Sequence, residues 1–451
     1  MNRKLGLGLC VVSVLAGCAS DDRGGRDDAQ GANPGQATAT AAVMTPGPSG
    51  AALARMTSFV KDRIDPSSVR SSLQTIAGRR VDCVGIHEQP ALGKVRGQAL
   101  EAPPQVVDEP AASPAELAAR KAIGPERLYE LGGGRPAACP QGTVPIPEVT
   151  LADVSRFASL EDFFAKEPAQ LRGASAPAVM QASDDLVAPH VGPTALHQYA
   201  HAYRAVTNWG AETSISIASQ TTELASEFSL GQIWVVAGSG GGLQTLEAGL
   251  QHYRNLYGDE NPHLFIYSTR GGYAPGTGCY NNTCGDFVQV SSTWFPGQGV
   301  GPISVPGGAQ YEINAHWAKA GETGSWWLSV QGQWVGYYPR GLFTAAINHA
   351  QVIDYGGEII DGRNGGRHTM TDMGTGQFAA TGWTHAAFMR LIRYNDSNPS
   401  GASITWAEAF GLTATQSDPA CYSIQLWSYN DPSWHIYFWY GGPGYSNPGC
   451  L

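Results

Sequence analysis

The stretch Leu243-Gln-Thr-Leu-Glu-Ala-Gly-Leu-Gln-His-Tyr-Arg-Asn-Leu-Tyr-Gly-Asp259 holds one acidic side chain, Glu247, in a strand-like run that is otherwise uncharged as far as Tyr253. A second glutamate, Glu358, occurs in a similar run, Val352-Ile-Asp-Tyr-Gly-Gly-Glu-Ile-Ile360. A carboxylate in an apolar strand is costly unless it is paired or protonated. Two such strands side by side would form a carboxylate pair of the kind that carries out acid–base hydrolysis. We therefore predict Glu247 and Glu358 as catalytic residues that need no metal and no cofactor.

The sequence around these two runs is a succession of short β-branched and aromatic segments that extends from Leu196 to the C-terminus. Gly, Pro and Asn turns separate the segments, and Gln331-Gly332 has the composition of a hairpin turn. One helix-like interruption, Leu342 to Ala350, precedes the Glu358 run. Roughly a dozen short strands with tight turns are typical of an antiparallel β-sandwich. We therefore expect an all-β catalytic domain over residues 196–451.

The sequence before Leu196 has a different character. Residues 51–165 combine amphipathic helical patterns with strand-like runs, which predicts a small α+β domain. Two segments rich in small and polar residues flank it, residues 18–50 and 166–195. Such segments cannot bury a core, so the first is interpreted as a flexible tether and the second as an exposed linker where processing would occur.

The N-terminus predicts export. A positively charged start is followed by a short apolar run from Leu5 to Val14 and then by Leu15-Ala-Gly-Cys18. Residues 1–17 have the pattern of a secretory signal peptide, which is too short for a permanent membrane span. Leu-Ala-Gly-Cys also resembles a bacterial lipobox, in which the cysteine is diacylated and becomes the first residue. We expect a cell-envelope lipoprotein with a lipid anchor at Cys18, on the outer membrane; the alternative is an ordinary signal peptide.

Six cysteines remain once Cys10 and Cys18 are assigned to this signal. An even number in an exported chain predicts disulfide bonds. Six cysteines allow fifteen pairings. Among these pairings, sequence order suggests the one with the bonds Cys83–Cys139, Cys279–Cys284 and Cys421–Cys450.

The charge of the chain argues against one class of partner. Residues 197–451 carry 9 Lys and Arg against 17 Asp and Glu, with Lys319 as the single lysine. A domain of this kind has no basic face to neutralise phosphates, which disfavours nucleic-acid binding. A surface with few ion pairs also loses little when carboxylates are protonated, which suits an acidic environment.

A series of short motifs runs through residues 196–451 in a fixed order. They are Glu227-Phe-Ser-Leu-Gly-Gln-Ile-Trp-Val235, Glu247-Ala-Gly249, Tyr257-Gly-Asp259, Leu264-Phe-Ile-Tyr267, Gly278-Cys-Tyr-Asn-Asn-Thr-Cys284, Trp326-Trp-Leu328, Val335-Gly-Tyr-Tyr-Pro339, Gly356-Gly-Glu358, Met373-Gly-Thr-Gly376 and Tyr440-Gly-Gly-Pro-Gly444. Their order and spacing resemble the neprosin peptidase domain. Upstream, Val81-Asp-Cys-Val-Gly-Ile-His-Glu-Gln-Pro-Ala91 and Cys139-Pro-Gln-Gly-Thr-Val-Pro-Ile146 resemble the activation domain of the same family.

The resemblance implies a function. In that family the glutamates at the positions of Glu247 and Glu358 form the catalytic pair of an acid-active glutamic endopeptidase that prefers to cleave after proline. It also implies a β-sandwich fold and an upstream domain that is removed as a propeptide. We therefore expect a proline-containing peptide or protein substrate, with the chain's own N-terminal domain, residues 51–165, as an inhibitor. Processing would release the catalytic domain from its anchor to the extracellular space.

Other residues have weaker signals. Trp326, Trp327, Tyr337 and Tyr338 are candidate substrate-binding residues that would stack on proline rings, although core packing explains them equally well. His197-Gln-Tyr-Ala-His201 has the spacing of two ligands on one helical face, but it lacks the glutamate of a zincin motif, so a structural pair is the favoured interpretation.

Two rival functions remain open at this point. Paired carboxylates and aromatic platforms also serve glycoside hydrolases, which would release reducing sugar. A non-catalytic, envelope-tethered β-sandwich binding module is the other rival, and it would keep its function after substitution of either glutamate.

Overall fold

The computed structural model describes residues 47–94, 99–106, 123–166, 196–321, 324–343, 347–397, 403–431 and 433–451. The predicted signal peptide, Cys18, nearly all of the predicted tether and residues 167–195 of the predicted linker lie outside these ranges. In the described part of the chain, no helix has the length and apolar character needed to cross a membrane.

The part of the chain before the linker forms a five-stranded antiparallel sheet with short helices beside it. Its strand order is β6-β5-β1-β2-β7. The strands up to this point are β1 (Val69–Gln74), β2 (Arg80–Gly85), β3 (Gln105–Val106), β4 (Gly124–Pro125), β5 (Leu128–Glu130), β6 (Pro136–Ala137) and β7 (Thr143–Pro147). The helices are α1 (Gly50–Asp62), α2 (Pro90–Lys94), α3 (Leu151–Val154) and α4 (Leu160–Phe164), with a 3₁₀ turn at Pro66–Ser68.

Side-chain caps begin three of these helices. The hydroxyl groups of Ser49, Thr150 and Ser159 accept hydrogen bonds from backbone N–H groups in the first turn of α1, α3 and α4. A cap of this kind contributes about 1 kcal/mol to helix stability. The sequence thus fixes where α4 begins, and α4 leads directly to Lys166.

The part after the linker is an antiparallel β-sandwich, as the sequence predicts. One sheet has the order β13-β12-β11-β10-β19-β8-β23. Its strands are β8 (His197–Asn208), β10 (Ser229–Ala237), β11 (Gln244–His252), β12 (His263–Thr269), β13 (Gly278–Tyr280), β19 (Ala350–Ile360) and β23 (Thr413–Gln416). A short helix, α5 (Arg254–Tyr257), follows β11.

The second sheet has the order β14-β18-β17-β16-β9-β20-β25-β24, and β22 pairs with β20. Its strands are β9 (Gly210–Ser216), β14 (Val288–Gln289), β16 (Glu312–Lys319), β17 (Trp326–Val330), β18 (Gln333–Tyr338), β20 (Ala387–Tyr394), β22 (Ala407–Glu408), β24 (Ser423–Asp431) and β25 (His435–Gly441). Gln331 and Gly332 both have positive φ and join β17 to β18, which confirms the predicted hairpin turn.

The predicted helical interruption, Leu342 to Ala350, lies partly outside the described residues. The structure has a 3₁₀ turn at Arg340–Leu342, and β19 already begins at Ala350. Residues 344–346 between them are outside the described residues. Other 3₁₀ turns lie at Gly240–Gly242, Asn364–Gly366, Ala379–Thr381 and Gly444–Ser446.

Alternation along the strands decides which side chains enter the core. On β10 and β11, Ile233, Val235, Leu246 and Ala248 point into the main hydrophobic cluster between the sheets, and all four are fully buried. Burial of a side chain of the size of Leu246 contributes roughly 1.5–3 kcal/mol. Because side chains alternate, the residues between them, including Glu247, lie on the other face of this sheet.

The described part of the chain contains three disulfide bonds, Cys83–Cys139, Cys279–Cys284 and Cys421–Cys450. These are the pairs that sequence order suggests. The first lies in the N-terminal sheet, and the third ties the C-terminus to the start of β24.

The N-terminal part is joined to the sandwich by strands and by a shared core within the compact unit Ala42–Leu451. Two further two-stranded pairs connect the parts, β4 with β15 (Val300–Gly301) and β3 with β21 (Ser403–Ile404). A hydrophobic cluster combines Phe157 and Phe163 of the N-terminal part with Phe228, Tyr253 and Tyr267 of the sandwich. This cluster lies beside the face of the sheet that carries Glu247 and Glu358, the two glutamates that form the predicted dyad. Tyr267 in the cluster pairs directly with Glu247 across β11 and β12.

Candidate active site

Glu247 and Glu358 lie on the same face of one sheet, but their strands are not neighbours. β11 and β19 both pair with β10, which runs between them. Trp234 of β10 is the register partner of Glu247, and Leu230 is the register partner of Glu358. Directly paired residues share a face of the sheet, so both glutamates point to the side away from the sandwich core.

The close approach of β10 and β11 requires a glycine at position 249. A Cβ atom at this position would lie 2.0 Å from the carbonyl oxygen of Gly231 on β10. Residue 249 faces the same side as Glu247, opposite Gln232. A glycine therefore allows β10 and β11 to approach closely where the two carboxylates converge.

The two carboxylates meet at one point. Lys166 Nζ lies 2.6 Å from Glu247 Oε2 and 2.6 Å from Glu358 Oε2. The two Oε2 atoms are therefore no more than twice 2.6 Å apart. Both glutamates are fully buried and the lysine side chain is 5% exposed. Three charges buried together are tolerated because each is paired.

The second oxygen of Glu247 accepts hydrogen bonds from two hydroxyl groups. Thr245 Oγ1 is 2.9 Å and the Tyr273 hydroxyl is 2.7 Å from Glu247 Oε1. Burial, reinforced by the charge of Glu247, raises the pKa of Tyr273 well above its ordinary value. The phenol therefore stays protonated and remains a donor to Glu247.

Glu358 is held differently. His197 Nδ1 lies 2.6 Å from Glu358 Oε1, and Gln232 Nε2 donates to Glu358 Oε2 over 2.8 Å. Burial would raise the pKa of Glu358, but Lys166 and His197 outweigh it and lower this pKa to about 2. Burial acts against the charge of Lys166 as well, yet the two glutamates raise the pKa of this lysine above its ordinary value. The ammonium group of Lys166 thus lies between the ionised carboxylate of Glu358 and the carboxyl group of Glu247.

Aromatic rings enclose this contact. Lys166 Nζ lies 5.3 Å from the ring centroid of Trp234 and 5.9 Å from that of Tyr273. The backbone N–H of Lys166 donates to the Tyr267 hydroxyl over 3.2 Å. A cation over aromatic faces gains about 0.5–2 kcal/mol, more where water is excluded.

The predicted histidine pair lies on a strand rather than a helix. His197 and His201 face the same side of β8 because side chains alternate along a strand. His197 contacts Glu358, whereas His201 Nδ1 lies 2.8 Å from both carboxylate oxygens of Asp354. The two histidines thus serve different carboxylates, which is not the arrangement of a shared metal site.

The four predicted aromatic residues lie in the second sheet, away from the dyad face. Trp326 and Tyr338 belong to the core cluster between the sheets, whereas Trp327 and Tyr337 pack with Ala91, Leu92 and Leu100 of the N-terminal part. All four are buried. This burial favours the core-packing alternative, and the rings over the Lys166 ammonium group are instead those of Trp234 and Tyr273.

One group of potential metal ligands occurs among the described residues. The ligand atoms of His368, Cys421 and Cys450 lie within 4.8 Å of one another. The two sulfur atoms form a disulfide bond, however, so neither is a thiolate that would bind a metal.

Sequence reasoning missed most of the residues around the dyad. Lys166 was placed at the first position of the predicted linker, but it is buried between the two glutamates. Gln232, Thr245 and Tyr273 gave no signal beyond their positions in or after strand-like runs. For His197, an alternating pattern with Tyr199 and His201 was the available signal of a strand face.

Residues 225–443 match the profile of the neprosin family. This region belongs to the neprosin family. The match contains both glutamates and most strands of the sandwich. It does not include the N-terminal part, whose resemblance to the neprosin activation domain stays a prediction. Membership of this region in the neprosin family supports a glutamic-type peptidase.

Two solved structures share a distant likeness with the chain. One is described as scytalido-glutamic peptidase with a peptide-based transition-state analogue; it is 9% identical, covers 55% of this chain and 98% of its own, and has a TM-score of 0.30. The other is CG-16, a homodimeric agglutinin from chicken liver, 10% identical, covering 35% of this chain and 93% of its own, with a TM-score of 0.19. At these TM-scores neither likeness informs the function of this chain.

Proposed function

We propose that the protein is an exported, acid-active glutamic endopeptidase that cleaves on the C-terminal side of proline and is made as a zymogen. The observation that carries the proposal is the convergence of Glu247 Oε2 and Glu358 Oε2 on one buried point. In the active form a water molecule replaces the ammonium group of Lys166 at this point. Two carboxylates this close share one proton when no cation lies between them.

The shared proton allows peptide hydrolysis without a metal. The ionised glutamate takes a proton from the water molecule, and the water oxygen forms a bond with the carbonyl carbon of the peptide. The protonated glutamate donates to the carbonyl oxygen and then, as the C–N bond breaks, a proton passes to the leaving amine. One water is consumed, and a carboxylic acid and an amine are formed.

The hydrogen bonds divide the two roles. Glu358 accepts from His197 and Gln232, which favour its ionised form, so we assign it as the general base. Glu247 accepts from the hydroxyl groups of Thr245 and Tyr273 and has no cationic donor from the catalytic domain among the residues that the structure describes. We assign Glu247 as the general acid. Both roles require the mixed protonation state, so activity declines towards neutral pH.

The preference for proline is supported by an aromatic surface at the dyad. Trp234 is the register partner of Glu247 and presents its ring to the ammonium group of Lys166. When Lys166 leaves, this ring is free to pack against a proline ring of the substrate, and the packing removes apolar surface from water.

The zymogen proposal is supported by the position of the N-terminal part, which covers the face of the sheet that carries the dyad. Cleavage within residues 167–195 would break its covalent connection to the catalytic domain. The signal peptide, the outer-membrane lipid anchor at Cys18 and extracellular release of the processed domain complete the proposal. Radiolabelled palmitate should enter the wild-type protein in a bacterial host and should be lost in Cys18→Ser.

Digestion of a denatured protein at acidic pH tests the activity. The processed protein is expected to release peptides whose C-terminal residue is mostly proline, identified by mass spectrometry. Cleavage with no residue preference would refute the proline specificity alone. Release of reducing sugar from a polysaccharide, with no peptides formed, would favour the glycoside hydrolase instead.

A further inference from the structure

Lys166 belongs to the N-terminal side of the predicted processing segment. It follows α4, which ends at Phe164, and residues 167–195 come after it. A cut anywhere in residues 167–195 leaves this lysine attached to the N-terminal part. Loss of the covalent connection therefore does not by itself remove Lys166 from the dyad.

We propose that Lys166 is an inhibitory latch that holds the dyad closed after the chain is cut, and that acid opens it. The inference rests on the proposed peptidase function and names the residue and the condition that regulate it. Activation then has two separable steps, cleavage of the chain and release of the N-terminal part by protonation of the dyad.

Contacts made by the residues just before Lys166 position the ammonium group. Phe163 and Phe157 are buried in the cluster shared with the sandwich, and Phe157 makes an edge contact with Tyr253 at 6.2 Å between centroids. Arg156 Nε donates to the carbonyl oxygen of Asn255 over 2.7 Å. Because α4 is held by these contacts, the lysine is placed at the dyad before any substrate binds.

Most of the other polar contacts across this boundary do not respond to acid. Arg63, Arg79 and Arg156 donate to backbone carbonyl oxygens, which do not titrate. The Arg63 bond that crosses the boundary ends on the carbonyl of Asn282. Two lysines of the described N-terminal part do form ion pairs across the boundary: Lys94 with Asp286, and Lys166 with the dyad.

The titratable groups that face the latch come from several strands and the loop after β12. They are His197, Tyr199 and His201 on β8, Asp354 and Glu358 on β19, Glu247 on β11, Tyr267 on β12, Tyr273 in the loop and Tyr280 on β13. Burial raises the pKa of Asp354, which is paired with His201, and burial raises the pKa values of Tyr199, Tyr273 and Tyr280 further from neutrality. Among these groups, the pKa of Glu358 is lowered by Lys166 itself, so protonation of this carboxylate is linked to release of the latch.

The direction of the pH effect follows from the linkage between protonation of Glu358 and opening of the latch. The pKa of Glu358 is lowered from 4.5 to about 2 while Lys166 is in place, so the closed form binds fewer protons than the open form. Its stabilisation is complete above about pH 5 and is lost as the pH falls towards 2. A shift of this size weakens the latch roughly 30-fold between pH 7 and pH 3. Lys166 itself stays charged throughout this range, because its pKa is raised.

A nicked full-length protein tests the proposal. A recognition sequence for a specific protease is inserted within residues 167–195, the chain is cut at pH 7, and a dilution series on gel filtration gives the dissociation constant of the two pieces at pH 7 and pH 3. Lys166→Gln and Lys166→Met are compared with wild type, and Lys94→Gln is the matched control. Thermal unfolding of each uncut variant confirms that it is folded.

The nicked wild type is expected to stay associated and inactive at pH 7, with a dissociation constant that rises roughly 30-fold by pH 3. Lys94→Gln should keep this rise. Both Lys166 variants should lose it or reverse it, because burying two carboxylates without a cation favours their protonation. The same rise in the Lys166 variants, or separation of the wild-type pieces at pH 7 as readily as those of Lys166→Gln, would overturn the latch. Failure of the separated wild-type catalytic domain to cleave peptides at pH 3 would refute the peptidase function and leave the dissociation result unaffected.

Discussion

Glu247 and Glu358 meet across an intervening strand, with both Oε2 atoms 2.6 Å from one ammonium nitrogen. Strands that flank a common neighbour are about 9–10 Å apart, so only long side chains on the same face converge over it. Gln232 of the central strand lies between them and donates to Glu358. The two carboxylates thus converge over three adjacent strands of one sheet, and the loop after β12 adds the Tyr273 hydroxyl as a donor to Glu247.

Removal of the Cys421–Cys450 disulfide should destabilise the sandwich. Both cysteines are fully buried, and the bond spans 29 residues that include β24 and β25. Closing a loop of this length stabilises a fold by about 3–4 kcal/mol in the chain-entropy account. The double variant Cys421→Ala/Cys450→Ala should lower the free energy of unfolding by about that amount in urea titration. An unchanged unfolding midpoint would show that this bond does not stabilise the domain.

Substitution of His197 should move the acidic limb of the pH–rate profile. His197 lowers the pKa of Glu358, and activity falls when Glu358 is protonated. In the processed His197→Gln variant this limb should shift to higher pH by about 1 unit. The measurement is kcat/KM of a proline-containing peptide between pH 2 and pH 6. His201→Gln is the control, since His201 pairs with Asp354 instead; equal shifts in both variants would refute the assignment of Glu358 as the base.

Trp234 should determine part of the preference for proline. Its ring faces the point where the carboxylates converge and is 6% exposed while Lys166 is in place. Trp234→Leu should lower the ratio of kcat/KM for a proline peptide over its alanine counterpart by about 2- to 10-fold, the value of one aromatic contact. Trp383→Leu, at an exposed position on the loop before β20, is the control and should leave the ratio unchanged. An unchanged ratio in Trp234→Leu would place proline recognition elsewhere.

The sandwich, the three disulfide pairs and the convergence of the two glutamates could be predicted from the sequence, because each leaves a local signal. Glu247 stands out in an uncharged run, and alternating apolar residues on β10 and β11 mark the buried face. The expectation that the two glutamate strands are direct neighbours was wrong, since strand order depends on long-range pairing that no local pattern records.

Lys166 shows most clearly where prediction from sequence stops. Its neighbours in the chain look like the start of a polar linker, and its role depends on the docking of α4 on a sheet whose first strand begins at His197. The four candidate aromatic residues show the same limit, because tryptophans and tyrosines have the same local pattern in a core as in a cleft. Trp326 and Tyr338 fill the space between the sheets, whereas Trp234 reaches the dyad.

The central claim is that Glu247 and Glu358 together hydrolyse peptide bonds, and kcat/KM of the processed protein at acidic pH tests it most directly. Glu247→Gln and Glu358→Gln should each lower kcat/KM by at least about 100-fold, since each removes one proton-transfer group. Glu212→Gln is the control, because Glu212 is a buried glutamate of the second sheet that pairs with Arg393. The kcat/KM of Glu212→Gln should stay within a few-fold of the wild-type value. Full activity in either dyad variant would contradict the account.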